Sequence, residues 1–182
     1  MRTLLRSIAA GALAAAWRRS PGDGQDGTQH RMIASHPDGS KDYVLVLARG
    51  DEIATAMADF AQNEDIAGAH FTAMGAVRDP EVAWFDLSRR QYEATSFSEQ
   101  MQVITLAGNI CRNEDRKTVV HTHVVLGRKD GRALGGHLIR AAVSPTLDVF
   151  LTSDPEPIRK RTDMATGLQL RRYRDPSPTP RA

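Results

Sequence analysis

The stretch Thr118-Val-Val-His-Thr-His-Val-Val-Leu126 is rich in β-branched residues and lies between polar turn signals, the composition of a strand. Upstream, Asn113-Glu-Asp-Arg116 is a short polar link, and Gln102 to Cys111 before it is a second strand. Downstream, Lys129-Asp130-Gly131 turns the chain again, and Arg132 to Gly135 runs back beside Thr118 to Leu126. Further out, Gly68 to Ala76, Val82 to Asp86, Gln91 to Ser96 and Thr146 to Thr152 carry the same pattern, with Ser88-Arg89-Arg90 as another hairpin link.

The period changes once. Tyr43-Val-Leu-Val-Leu47 suits a buried strand, and Gly50-Asp51 breaks it, with Asp51 placed as a helix N-cap. Ile53, Ala56, Met57, Phe60 and Ala61 then recur at spacings of three and four, which predicts one helix running to about Asn63. A run of strands beside one helix predicts an α+β fold, a compact single domain with a mainly antiparallel β-sheet covered by one principal helix.

The ends differ from this body. Residues 1–40 read as a flexible lead-in: Arg2 and Arg6 before an Ala-rich stretch to Trp17 give it the form of a signal segment, and Met32 offers a second start. Asp175 to Ala182 holds three prolines and reads as an extended tail, so that the domain spans 41–173 and the Pro-rich tail 174–182. The apolar stretch near the start is far shorter than the roughly 20 residues a membrane-spanning helix needs. A cytoplasmic location is expected, or export if residues 1–17 act as a signal.

Charge is unevenly spread. Residues 1–31 carry five Arg and two Asp and residues 171–182 carry four Arg and one Asp, each +3, leaving −4 for residues 32–170. A phosphate-neutralising surface needs clustered Lys and Arg, so DNA contact falls to the ends, where Arg171, Arg172 and Arg174 stand. The lone Cys111 excludes an intramolecular disulfide and a multi-cysteine zinc cluster, and reads as a small buried residue. Histidine must carry any metal.

His121 and His123 are two apart in one strand, so both imidazoles project from one face, about 6.6 Å apart along the chain. Such a pair can tilt toward one ion at about 2.0–2.1 Å, or can be a half-buried polar pair. His137 follows across the hairpin behind Gly135 and Gly136, which let the backbone approach without side-chain obstruction. Three neutral imidazoles leave a tetrahedral position open, the pattern of catalytic rather than structural zinc. His70 reads as a packed or edge residue and His30 and His36 as solvated. Glu99 and Asp86 are candidate proton acceptors near strand ends, although no spacing forces them toward the histidines, and the catalytic residues are otherwise undetermined. A nucleophile elbow, a P-loop and a dinucleotide fingerprint are all missing from the sequence.

Gln102-Val-Ile-Thr-Leu-Ala-Gly-Asn-Ile110, Val120-His-Thr-His-Val124, Gly135-Gly-His-Leu138, Ala142-Val143 and Thr146-Leu-Asp-Val149 together resemble the PPC domain, conserved in plants and prokaryotes. Ala73-Met-Gly-Ala-Val77 and Trp84-Phe-Asp86 are similar to that family's preceding strands, so the resemblance spans roughly Tyr43 to Tyr173. It implies a compact fold assembled as a homotrimer, with the histidines of the H-x-H and G-G-H motifs, here His121, His123 and His137, holding a divalent metal, zinc in some members. It also implies an association with DNA through AT-hook segments in plants, but the Arg-Gly-Arg-Pro core of that hook is not in this sequence, which is therefore of the bacterial type. Where the family often has an acidic residue this chain has Gln102, so a role for that position does not carry over. The expectation is a metal-binding protein with an open three-histidine site, hydrolytic toward a small polar molecule. The alternatives are a DNA-associated regulator or a scaffold with a structural metal.

Overall fold

The computed structural model describes residues 27–171 and the backbone of Arg18–Arg19. Its ten strands and one helix run β1 (Arg18–Arg19), β2 (Gln29–Ser35), β3 (Lys41–Leu47), α1 (Ile53–Asn63), β4 (Ala69–Asp86), β5 (Gln91–Ser96), β6 (Gln100–Arg112), β7 (Thr118–Gly127), β8 (Ala133–Ser153), β9 (Lys160–Thr162) and β10 (Gln169–Arg171). The first eight form one antiparallel sheet in the order β1-β2-β3-β8-β7-β6-β4-β5, and β9 and β10 form a separate hairpin. The fold is thus mostly antiparallel β with a single helix.

Alternation decides which side chains make the core. In β3, Tyr43, Leu45 and Leu47 point inward and are at most 2% exposed, and in β7 the inward set is Thr122, Val124 and Leu126. His121, His123 and Val125 therefore stand on the outer face of β7. β4 pairs not only with β6 but also with β8, so β4, β6, β7 and β8 close into a ring. Closure leaves β1 and β5 as the edge strands and an interior filled by such side chains as Leu106, Ile110 and Val143, all fully buried.

α1 packs against β7 and β8. Its buried stripe is Ile53, Met57, Phe60 and Ala61, as the periodicity predicts. Phe60 alone, fully buried, contributes roughly 1.5–3 kcal/mol through area removed from water. The N-cap is Glu52, whose carboxylate accepts from the amides of Ala54 and Thr55, and not Asp51. Asp51 instead closes the preceding turn, accepting from Ala48 N at 2.8 Å and from Thr28 Oγ1. At the other end Asp65 takes a left-handed φ of 52°, and Ile66 N donates back to Ala61 O at 2.7 Å, ending the helix.

Three segment assignments change. Gly68 to Ala76 and Val82 to Asp86 are one strand, β4, because irregularities absorb the Asp79-Pro80 break: Asp79 adopts φ 51° while its amide still reaches Glu99 O. The predicted segments Arg132 to Gly135 and Thr146 to Thr152 likewise fall in the single strand β8, apart from Arg132, which closes the preceding turn by accepting from Arg128 N. Within the span read as lead-in, residues 29–35 form β2, paired with β3 from Gln29↔Val46 to Ser35↔Lys41. His30 is consequently not solvated: it is 5% exposed, with its ring edge-on to Phe60 and its Nε2 3.2 Å from Glu64. His36 is half-exposed and lies 2.8 Å from Asp42. The expected signal segment 1–17 and Pro-rich tail 174–182 lie outside the described residues. Among the described residues no helix is long and apolar enough to cross a membrane.

Candidate metal centre

The two hairpins around β7 build the site by register. The β7–β8 hairpin sets His123 directly opposite His137, and β6 sets Asn109 opposite His121. Residues directly opposite share a face, so His121, His123, His137 and Asn109 gather on the outer side of the ring. The ring centroids are 5.0 Å apart for His121 and His123, 5.0 Å for His121 and His137, and 5.6 Å for His123 and His137. One nitrogen from each lies within 4.8 Å of the other two. Ligands in a tetrahedral zinc site stand about 3.4 Å apart, so small ring rotations suffice to close the set. Among the described residues this is the one such cluster.

The two glycines before His137 make the approach. A Cβ on Gly135 would stand 2.6 Å from Val124 O, and one on Gly136 2.8 Å from Ala83 O. His137 pairs with both His123 and Ala83, so β8 is squeezed between β7 and β4 at this point. Only glycine fits there.

Electrostatics favour neutral ligands. Burial, then the charges of Lys160 and the other two histidines, bring the His121 pKa down from 6.5 to about 4. Burial first, then His123 and Lys160, lowers that of His137. Both rings therefore reach neutral pH without a proton to displace. Two polar atoms support the fit of a cation: His137 Nδ1 and Asn109 Oδ1 are buried and lack a hydrogen-bond partner. A ligating imidazole usually donates its second N–H to an acceptor, and Asn109, across from His121, is suitably placed for that.

Other residues complete the surroundings. Tyr92 on β5 stacks on His137, centroids 4.9 Å apart and planes 28° from parallel, and Phe85 meets Tyr92 edge-on at 5.0 Å. Lys160 at the start of β9 is only 7% exposed, and burial lowers its pKa. Cys111 is buried as expected, its thiol pKa raised by desolvation, and it donates to Val119 O at 3.6 Å. The candidate carboxylates are engaged elsewhere. Glu99 pairs with Arg128 at 2.7 Å, and Asp86 accepts from Ser88 and Arg89 in the β4–β5 turn, which lowers its pKa. His70 is exposed on β4 opposite Asn109, outside the cluster.

Sequence reasoning found the three histidines and missed Tyr92, Asn109 as a neighbour, and Lys160. Asn109 could have been found by counting back from the Asn113–Arg116 link, since that turn fixes Arg112↔Thr118 and hence Asn109↔His121. Lys160 carried no such signal.

The sequence model of the Plants and Prokaryotes Conserved (PCC) domain matches residues 34–154. Among solved structures, a plant- and prokaryote-conserved protein of Pyrococcus horikoshii is 26% identical at a TM-score of 0.69, over 74% of this chain and 92% of its own. A metal-containing protein of Archaeoglobus fulgidus is 30% identical at 0.68, over 73% and 94%. A candidate DNA-binding protein of Bacteroides thetaiotaomicron is 23% identical at 0.71, over 80% and 99%, a likeness of fold. The bifunctional protein GlmU of Synechococcus sp. (strain JA-3-3Ab) is 27% identical over 135 residues, 72% of this chain. The matched part is 20% of that protein's length.

Proposed function

The chain belongs to the Plants and Prokaryotes Conserved domain family, and from that premise we propose that it binds one divalent metal, zinc, through His121, His123 and His137. The observation that carries this reading is the convergence of three imidazole nitrogens within 4.8 Å, two of the rings held neutral by burial. The metal-containing description of the Archaeoglobus relative supports it. An all-nitrogen set suits zinc, and with three ligands it supplies Lewis-acid polarisation at the remaining coordination position. Tyr92 orients the His137 ring by stacking, and Asn109 offers an acceptor beside His121. We read the open position as serving hydrolysis of a small polar molecule.

Elemental analysis of tag-free protein, beside the triple variant His121→Ala, His123→Ala, His137→Ala, tests the site. Near one metal per chain in the first and none in the second is expected. Metal absent from both, with zinc failing to bind on titration, refutes the reading. A metal-loaded protein that binds no small molecule at the open position, yet melts lower on chelation, would reduce the metal to a structural role.

The outer face also exposes Met74, Ile104 and Phe150 at 57%, 55% and 49%, which supports self-association, and we read the assembly as a homotrimer. A monomer mass by light scattering would remove that element. A DNA-associated role is the second reading. It is favoured by the arginines of residues 171–182 and by the description of the Bacteroides protein. Fluorescence anisotropy at low salt, where phosphate contacts are strongest, should then detect binding, and its absence would dismiss the role.

A further inference from the structure

Among the described residues, nothing neutralises the charge of Lys160. The residue is 7% exposed, and its side chain forms no hydrogen bond or ion pair among the described residues. Its place is fixed by two backbone links: Arg112 N donates to Ile158 O at 2.9 Å, and Arg112 and Arg159 form a parallel bridge. Those links lay the start of β9 along the end of β6, just past Asn109 and Cys111. From there the ammonium acts on both His121 and His137.

Among the described residues, the surrounding groups offer no counter-charge. Cys111 is the other titratable group acting on Lys160, and burial keeps it a thiol. Arg171, which pairs with Lys160 across the β9–β10 hairpin, adds a second cation bearing on Cys111. The carboxylates of Glu99 and Asp86 are committed to Arg128 and to the β4–β5 turn. Three neutral imidazoles bring no negative charge to a divalent ion, so the ion and Lys160 together leave the half-buried site strongly positive. A lysine exposed as little as Lys160 normally has a partner for its charge, and a point charge with three donors pairs well with an oxyanion.

Resting on the metal-binding reading, we propose that the open side of the three-histidine centre takes a small molecule through an oxyanion, a carboxylate or phosphate group, with Lys160 as its counter-charge. The ligand would bridge the coordination position and the ammonium. Lys160 is thereby a binding residue for the ligand and not for the metal.

The test is calorimetric titration of zinc-loaded full-length protein, freed of excess metal, with inorganic phosphate and separately with acetate, in chloride-free buffer of low ionic strength. Wild type should bind at least one of the two, and tighter binding of phosphate or of acetate tells which oxyanion the site prefers. Lys160→Met should weaken that binding at least tenfold with zinc content unchanged, and Lys160→Arg should recover most of it. If Lys160→Met does not fold by circular dichroism, Lys160→Gln carries the same expectation. Binding of neither anion at millimolar concentration by the zinc-loaded protein, or equal binding by the uncharged variant, overturns the proposal and leaves the metal site standing. Zinc content measured on the same samples separates that outcome from failure of the metal site itself, which would end both readings.

Discussion

Replacing Gly135 by Ala should cost metal affinity although residue 135 ligates nothing. The new Cβ would stand 2.6 Å from Val124 O, so the backbones of β7 and β8 must part by about 0.4 Å to reach the shortest contact Cβ atoms make, and by about 0.8 Å for ordinary contact. His123 and His137 sit opposite each other on these two strands, two residues from the clash on β8. Zinc sites tolerate about 0.2 Å in ligand distance, so a shift of that size should weaken zinc binding at least tenfold. Overpacking adds a stability cost of about 1–3 kcal/mol. Gly131→Ala is the control: its Cβ meets nothing within 4 Å, but its φ of +82° strains an Ala by about 1 kcal/mol. Zinc competition with a chromophoric chelator, together with urea unfolding of each metal-free variant, separates the two effects. Both variants should lose stability, and only Gly135→Ala should lose zinc. Wild-type zinc affinity in a folded Gly135→Ala protein would refute the claim that close approach of β8 to β7 forms the site.

Two further outcomes follow from burial. The unfolded chain protonates His121 near 6.5 and the folded chain only near 4, so the unfolded state binds the extra proton between these values. Metal-free protein should therefore lose stability as pH falls from about 6.5 to about 4 and hold it above. Urea midpoints across that range should decline less in His121→Ala, and an identical decline would remove His121 as the cause. Phe60→Ala, at a fully buried position with ring contacts to Tyr43 at 5.2 Å and His30 at 4.9 Å, should cost about 3–5 kcal/mol. Metal content should stay at the wild-type value, because Phe60 lies in the core and the histidines on the outer face; loss of both together would contradict that separation.

Local pattern carried much of the fold. The stripe from Ile53 to Ala61, the alternation in β3 and β7, and the polar links at Asn113–Arg116 and Lys129–Gly131 each encode their own element within a few residues. What they do not encode is closure. The pairing of β4 with β8 joins residues as distant as Ala69 and Ser153, and both strands carry apparent breakers, Asp79-Pro80 and Ser144-Pro145, that divide them when read locally. β2 was hidden for a different reason. Its outer residues Met32 and Ile33 are 39% and 52% exposed, so its hydrophobic pattern does not mark a buried strand, and what holds it is pairing to β3 with His30 against Phe60.

The same distinction explains which site residues could be read. His121 and His123 share a strand and His137 lies one hairpin away, so their convergence depends on local register. The ring interior is filled by residues such as Leu106, Ile110 and Leu126, each fully buried, which leaves polar chemistry to the outer face. An outer face of a sheet is wet unless something covers it. Here the covering comes from peripheral segments: β5 brings Tyr92 onto His137, and β9 brings the Lys160 charge to bear on His121 and His137. Neither segment has an apolar rhythm, since every residue of β5 is exposed and β9 spans three residues. The three histidines are thus written in the strand pattern, while Tyr92 and Lys160 arrive beside them through tertiary placement, which sequence periodicity was least able to reveal.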